Sequence, residues 1–252
     1  MVVHVVERAL AAPSVSRAVV ATDDERIFEA VTAAGYEALM TAAEHASGSD
    51  RLAEAAELLG GDFEIVVNVQ GDEPLISPRT IERAVEALAS DSSADIATTC
   101  EPITEAADAL SPDVVKVVAD SRGRALYFSR SPVPFPRDAA RRHGSLAAAL
   151  DAEPGLLALF RKHTGLYVFR RAFLSEYAAH PATALEGAEQ LEQLRALELG
   201  AVIRVVETDE PSVGVDTEAD LARARTIFEE VRGQRSEVSR ATSRPALLTS
   251  NL

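Results

Sequence analysis

Residues 63–74 read FEIVVNVQGDEP, and the stretch FEIVVNVQ is the strongest strand signal in the chain. Ile65, Val66, Val67 and Val69 put apolar side chains on both faces, which predicts a central strand of a parallel sheet. The strand stops in a polar turn, Gln70-Gly71-Asp72-Glu73-Pro74. Upstream, SDRLAEAAELLGG reads as a helix ended by Gly60 and Gly61. Before it come a strand, YEALMT, and a helix within ATDDERIFEAVTAAG that Thr22 or Asp23 can cap and Gly35 stops. RAVVA at 17–21 reads as a short strand, and residues 2–11 read as a helix ended by Pro13. Downstream, SPRTIERAVEALAS is a helix with Ser77 as cap and Pro78 at its first position. ADIATTC is the next strand. This alternation predicts an α/β fold with a doubly wound, mostly parallel sheet.

Beyond Cys100 the rhythm changes. DVVKVVAD and RALYFSR, joined through Gly123, read as a β-hairpin. Residues 131–155 read as a loop with a short helix. KHTGLYVFR is a strand, RAFLSEYAAH a short helix, and AEQLEQLRALELG a longer helix ended by Gly200. VIRVVE is a strand and TEADLARARTIFEEVR the last helix. Residues 1–232 are thus expected to form one α/β domain, with the hairpin-containing subregion at about 112–200 and residues 233–252 as a disordered tail.

Composition narrows the function. The 252 residues carry 25 basic against 40 acidic side chains, a net charge of -15. A general nucleic-acid binder needs a basic face and is not expected. No apolar run approaches the roughly 20 residues of a membrane span. The N-terminus MVVHVVERAL has no basic leader before its apolar residues, so no secretory signal is read there. One cysteine, Cys100, excludes an internal disulfide framework. A cytoplasmic protein is the expectation. Lysine occurs only at Lys116 and Lys162, so arginine carries nearly all the positive charge.

Five segments hold candidate chemistry. In open α/β sheets ligands sit beyond the carboxyl ends of strands, where Gln70, Gly71 and Asp72 fall. Asp72 is a hard oxygen donor suited to Mg²⁺ and Gln70 can hydrogen-bond a base or ribose. A plain polar turn explains the same residues. Gly214-Val215-Asp216-Thr217 precedes the last helix, and Asp216 there is either a second metal carboxylate or a helix-start residue. Sequence spacing does not show whether Asp72 and Asp216 meet. His45-Ala46-Ser47-Gly48-Ser49-Asp50-Arg51 can hold an anion at a helix start, or simply cap it. His163, Gly165 and Tyr167 share one face of a strand and can line a pocket or pack as core. Glu192 and Gln193 are a polar pair in an amphipathic helix, and a solvated face is the plain alternative.

The ordered set HASGSDRL, QGDEP, ALYFSRSPVPFPR, HTGLYVFRRAFL, LEQLRALELG and GVDTEADL resembles the 3-deoxy-manno-octulosonate (Kdo) cytidylyltransferase family over residues 1–232. The resemblance implies transfer of CMP from CTP to the anomeric hydroxyl of Kdo, with Mg²⁺, for lipopolysaccharide assembly, by a homodimer. It implies a catalytic set of Asp72, Asp216 and Arg130, with Asp72 and Asp216 on the metal. Ser47, Gly48, Ser49, Arg51 and Gln70 match the nucleotide side. Arg137, His163, Tyr167, Glu192 and Gln193 match the sugar-acid side. Alternatives are a cytidylyltransferase for another sugar acid, or a non-catalytic homologue.

One departure stands out. The family opens with a strand and a phosphate-binding loop of the form STRLPGKPL, and residues 1–34 contain no glycine and no lysine. A misassigned start codon and a truncated paralogue both explain this. The sheet is expected to have a gap beside its first strand, and the 252-residue chain to have little or no cytidylyltransferase activity.

Overall fold

A computed structural model describes residues 1–45, 47–210, 214–215 and 217–228. The expected tail lies outside the described residues.

The first half follows the alternation closely. Helix α1 (Val2–Leu10) turns Val5, Val6 and Ala9 inward. Strands β1 (Val19–Thr22) and β2 (Glu37–Met40) flank α2 (Glu25–Ala33). The cap of α2 is Asp24, not Thr22 or Asp23. Its carboxylate accepts from the Arg26 amide at 2.8 Å, while the Thr22 hydroxyl accepts from the Asp24 amide. Helix α3 (Gly48–Leu59) is capped by Ser47 and ends at Gly60, whose φ of 56° suits a residue without Cβ. Strand β3 (Ile65–Asn68) and helix α4 (Pro78–Ser90) follow. Ile81, Ala84 and Leu88, spaced for one helix face, are fully buried on the sheet. Truncating Leu88 to Ala would cost about 2–5 kcal/mol.

The second half supplies β4 (Ile96–Pro102), a short α5 (Ala106–Leu110), and the hairpin β5 (Lys116–Ala119) with β6 (Ala125–Ser129). Residues 131–155 hold more structure than one short helix: α6 (Arg137–His143) and α7 (Leu146–Ala152) are followed by a 3-10 turn, Pro154–Leu159. Leu150 and Phe160 bury there in a small core of their own. The ten-residue β7 (Arg161–Arg170) leads to α8 (Arg171–Ala178). The expected single helix over 188–200 is two, α9 (Ala184–Glu189) and α10 (Gln193–Glu198), broken at Gln190 in the left-handed region with φ 53°. Strand β8 (Ile203–Glu207) and a helix over 218–228 complete the described chain.

The main sheet has six strands in the order β6-β5-β7-β4-β8, with β3 paired to β7 beside β5. Strands β4 and β8 are parallel, and β7 runs antiparallel to β3, β4 and β5. Strands β3, β4, β5 and β8 therefore point one way, and β6 and β7 the other. Helices cover both faces. Ile96, Cys100 and Phe169 pack toward α3, α8 and α10, while Ala97 and Val168 pack toward α1 and α4. The α/β class holds, with a central sheet between helical layers, but the main sheet is mixed rather than mostly parallel: among the described residues only its β4–β8 pairing is parallel.

The placement of 63–70 differs from the sequence reading. Among the described residues β3 pairs only with the antiparallel β7, and Ile65, Val66 and Val67 stay half-buried. Strands β1 and β2 pair with each other in a separate sheet. An apolar strand covered on one edge keeps the composition of a central strand without its burial.

Candidate active site

Two loops that sequence spacing could not bring together do meet. The Val215 amide donates to the Asp72 carbonyl at 2.9 Å, tying the loop after β3 to the segment before the last helix. Asp216 itself lies outside the described residues. The Asp72 side chain is half-buried and has no hydrogen bond or ion pair among the described residues. A carboxylate so placed is an available oxygen donor, the chemistry Mg²⁺ takes from one or two side chains plus substrate phosphates. No group of three or more metal-binding side chains occurs among the described residues.

Gln70 connects this loop to β7. A Cβ on Gly165 would lie 3.3 Å from Gln70 Cγ, so the missing side chain is what lets Gln70 lie across the strand. Gly165 also falls where β7 bulges, between the pairs Thr98 with Tyr167 and Thr99 with Thr164. Bulges commonly re-aim side chains beside active sites. Two extra residues on β7 preserve the alternation, so His163 and Tyr167 stay on one face with ring centroids 5.3 Å apart.

The state of His163 follows from its partners. The Thr98 hydroxyl donates to the Leu166 carbonyl at 2.7 Å and so must accept from His163 Nε2 at 2.9 Å. The ring is then the Nε2–H tautomer, with Nδ1 an acceptor. Burial pushes its pKa down to about 3, which keeps it neutral. Burial, then the charge of Glu192, raises the Tyr167 phenol well above its ordinary range.

Glu192 lies close enough to Tyr167 for its charge to act on the phenol. Its carboxylate accepts from the Ser49 amide at 3.4 Å, and its carbonyl accepts from the Tyr177 hydroxyl at 3.0 Å. Gln193 beside it is buried, as are Leu194, Arg195 and Ala196, so this segment is not a solvated face. Ser47 serves as a cap, its hydroxyl accepting from the Asp50 amide, and Gly48 is exposed with open space around it. The Arg51 guanidinium donates to the Thr41 hydroxyl and the Ala42 carbonyl and pairs with Asp23 at 3.1 Å, which fixes the loop between β2 and α3.

The two remaining arginines are placed differently. Arg130 is half-buried, with its guanidinium on the carbonyls of Glu189, Pro112 and Gln190. Its amide donates to Glu189 and its carbonyl accepts from Lys116. It therefore ties the end of β6 to the turn that leads into Glu192. Arg137 is exposed and lines a separate open hollow of about 420 Å³ with Arg142 and Leu156. None of the other candidate residues lines that hollow.

Sequence reasoning missed Thr98, Glu189 and Lys116. The last had a visible signal: a lone charge between valines in VVKVV. Its ammonium is fully buried and bonded to the carbonyls of Ser111, Val114 and Arg130.

A family model described as cytidylyltransferase matches residues 1–205. A 3-deoxy-manno-octulosonate cytidylyltransferase of Pelobacter propionicus is 51% identical over 234 residues, 93% of this chain and 89% of that protein. The chain belongs to the 3-deoxy-manno-octulosonate cytidylyltransferase family. Its relative of the same name from Geobacter sulfurreducens is 53% identical over 223 residues, 88% of this chain and 86% of the other. A solved CMP:2-keto-3-deoxy-manno-octonic acid synthetase complexed with CTP superposes with a TM-score of 0.78 at 41% identity, over 90% of this chain and 86% of that one. The 4-diphosphocytidyl-2C-methyl-D-erythritol synthase of Anaerococcus prevotii, at 12% identity and a TM-score of 0.56, shares the fold of this cytidylyltransferase. No helix among the described residues is long and apolar enough to cross a membrane.

Proposed function

We propose that the protein transfers CMP from CTP to the anomeric hydroxyl of Kdo, releasing pyrophosphate, as a step toward lipopolysaccharide. The observation that supports this reading is the hydrogen bond between the Val215 amide and the Asp72 carbonyl, with Gln70 lying against Gly165 on the strand that carries His163 and Tyr167. It occurs in a chain about half identical to Kdo cytidylyltransferases. In the reaction the anomeric oxygen forms a bond to the α-phosphorus. The α–β phosphoanhydride bond breaks, and the hydroxyl proton is released.

Each residue then has a task. Asp72, with Asp216, would hold Mg²⁺, which when bound offsets charge on the phosphate oxygens and leaving group. Gln70 orients the nucleotide against Gly165. Neutral His163 offers Nδ1 to a sugar hydroxyl, and Tyr167, Glu192 and Gln193 complete the sugar-acid side. A polar wall of this kind discriminates, because a sugar lacking a matching hydroxyl leaves a buried group unpaired. Ser47, Gly48, Ser49 and Arg51 shape the nucleotide side. Arg130 acts by positioning the 189–193 turn, and Arg137 stands apart as a candidate for closing on the sugar acid. Residues 1–232 acting as one domain, a cytoplasmic setting and a homodimer belong to the same proposal.

The test is transfer of labelled CMP from CTP to Kdo in Mg²⁺, compared with Asp72→Asn. Product formation that depends on Asp72 supports the reading. Equal product from the variant contradicts it.

A further inference from the structure

The helix N-terminus on the nucleotide side and the turn on the sugar side are joined by a buried cation that neither assignment uses. Arg195 is 3% exposed. Its guanidinium grips Glu186 at both oxygens, Nε to Oε2 at 2.8 Å and Nη2 to Oε1 at 2.6 Å. Nη1 reaches Asp50 at 3.3 Å and the His180 carbonyl at 3.2 Å. The flat face lies 4.5 Å from the centre of the Tyr177 ring, the same tyrosine that holds the Glu192 carbonyl.

Asp50 sits in the first turn of α3, directly after Ser49, and Arg195 in the first turn of α10, three residues after Glu192. The ion pair between them therefore runs parallel to the Ser49 amide contact with Glu192. Burying charge is expensive, and an apolar cluster of the same volume often stabilises as well. One carboxylate would already neutralise Arg195. The second comes from a helix 145 positions away in sequence. A rigid planar fork held at both ends fixes orientation as well as distance.

Resting on the cytidylyltransferase reading, we propose that Arg195 is a positioning residue that couples the two substrate halves. Through Asp50 it sets where the α3 N-terminus lies, and through Glu186 and Tyr177 it sets the Glu192–Gln193 turn. A nucleotide that orders one side thereby orders the other, and each ligand raises affinity for its neighbour.

The experiment uses CMP and Kdo, a pair that does not condense without the triphosphate. Kdo is titrated calorimetrically into the 252-residue chain with and without saturating CMP. Asp50→Asn keeps the side-chain size and the Arg195–Glu186 fork and removes only the charge across the helices. Wild type should bind Kdo at least about fivefold more tightly with CMP present, within the usual range of coupling between sites. Asp50→Asn should bind each ligand alone within about twofold of wild type and lose most of the coupling, and Asp50→Glu should restore part of it. Coupling retained in a folded Asp50→Asn overturns the proposal, as does wild type that binds both ligands independently. Wild type that binds neither ligand overturns the substrate reading, and the coupling with it.

Discussion

The Val215 amide donates to the Asp72 carbonyl at 2.9 Å, so a loop near the middle of the chain and a segment near its end share one hydrogen bond. The bond is made by main chain, which leaves the Asp72 carboxylate to other work. Asp72→Asn should fold with wild-type thermal stability, because no side-chain partner is lost. CMP transfer should fall about 10²–10³-fold, the range seen when a group stabilising transition-state charge is removed. Thermal unfolding beside steady-state kinetics checks both halves, and a variant within a few fold of wild type would remove Asp72 from the chemistry.

The His163–Thr98 pair predicts a pH effect with a definite sign. The imidazole is neutral in the folded protein, its pKa pushed down to about 3 by burial, against about 6.5 in an unfolded chain. Below pH 6.5 the unfolded state binds the proton that the folded state refuses. Stability is therefore full above that pH and lost as pH falls toward 3. Between pH 7 and pH 5 this one group should remove roughly 2 kcal/mol. Urea unfolding at the two pH values measures it, and His163→Gln should flatten the dependence. An unchanged slope in the variant would place the effect elsewhere.

Gly165→Ala probes the bulge. The new methyl would meet Gln70 Cγ at 3.3 Å, and Gln70 is exposed enough to swing aside. Stability should change by less than about 1 kcal/mol. Nucleotide affinity should fall several-fold as Gln70 leaves its place. Calorimetric titration with CMP reads the effect, and unchanged affinity would mean that Gln70 does not touch the nucleotide.

How the sequence and the structure agree is clearest at particular elements. Ser77 with Pro78 announced the start of α4, and Gly60 the end of α3, because caps and breakers act within a few residues. FEIVVNVQ announced a strand but not its partner. Apolar composition on both faces reports what a strand can bury, while pairing depends on strands far away in sequence. The break at Gln190 had no local signal, since glutamine favours helix. The carbonyls on either side of the kink instead accept from the Arg130 guanidinium, a residue 60 positions upstream. Arg195 was equally opaque, because a charge in an amphipathic helix reads as solvated until Glu186 and Asp50 are seen around it. In the site, the residue types were legible from motif order. The Asp72–Val215 contact and the His163 tautomer needed coordinates.

The one-edged pairing of β3 has a measurable consequence. Amides of β3 that do not face β7, and those of β1, should exchange hydrogen at least about tenfold faster than amides in the middle of β4 and β7. Exchange followed by mass spectrometry or NMR tests this, and equal protection across the strands would contradict the pairing described.

The most direct test is the identity of the product. With α-labelled CTP, Mg²⁺ and protein near substrate concentration, label should accumulate slowly as CMP-Kdo, with pyrophosphate released in equal amount and none on N-acetylneuraminate. Label on neuraminate at a rate equal to or greater than that on Kdo would contradict a Kdo cytidylyltransferase.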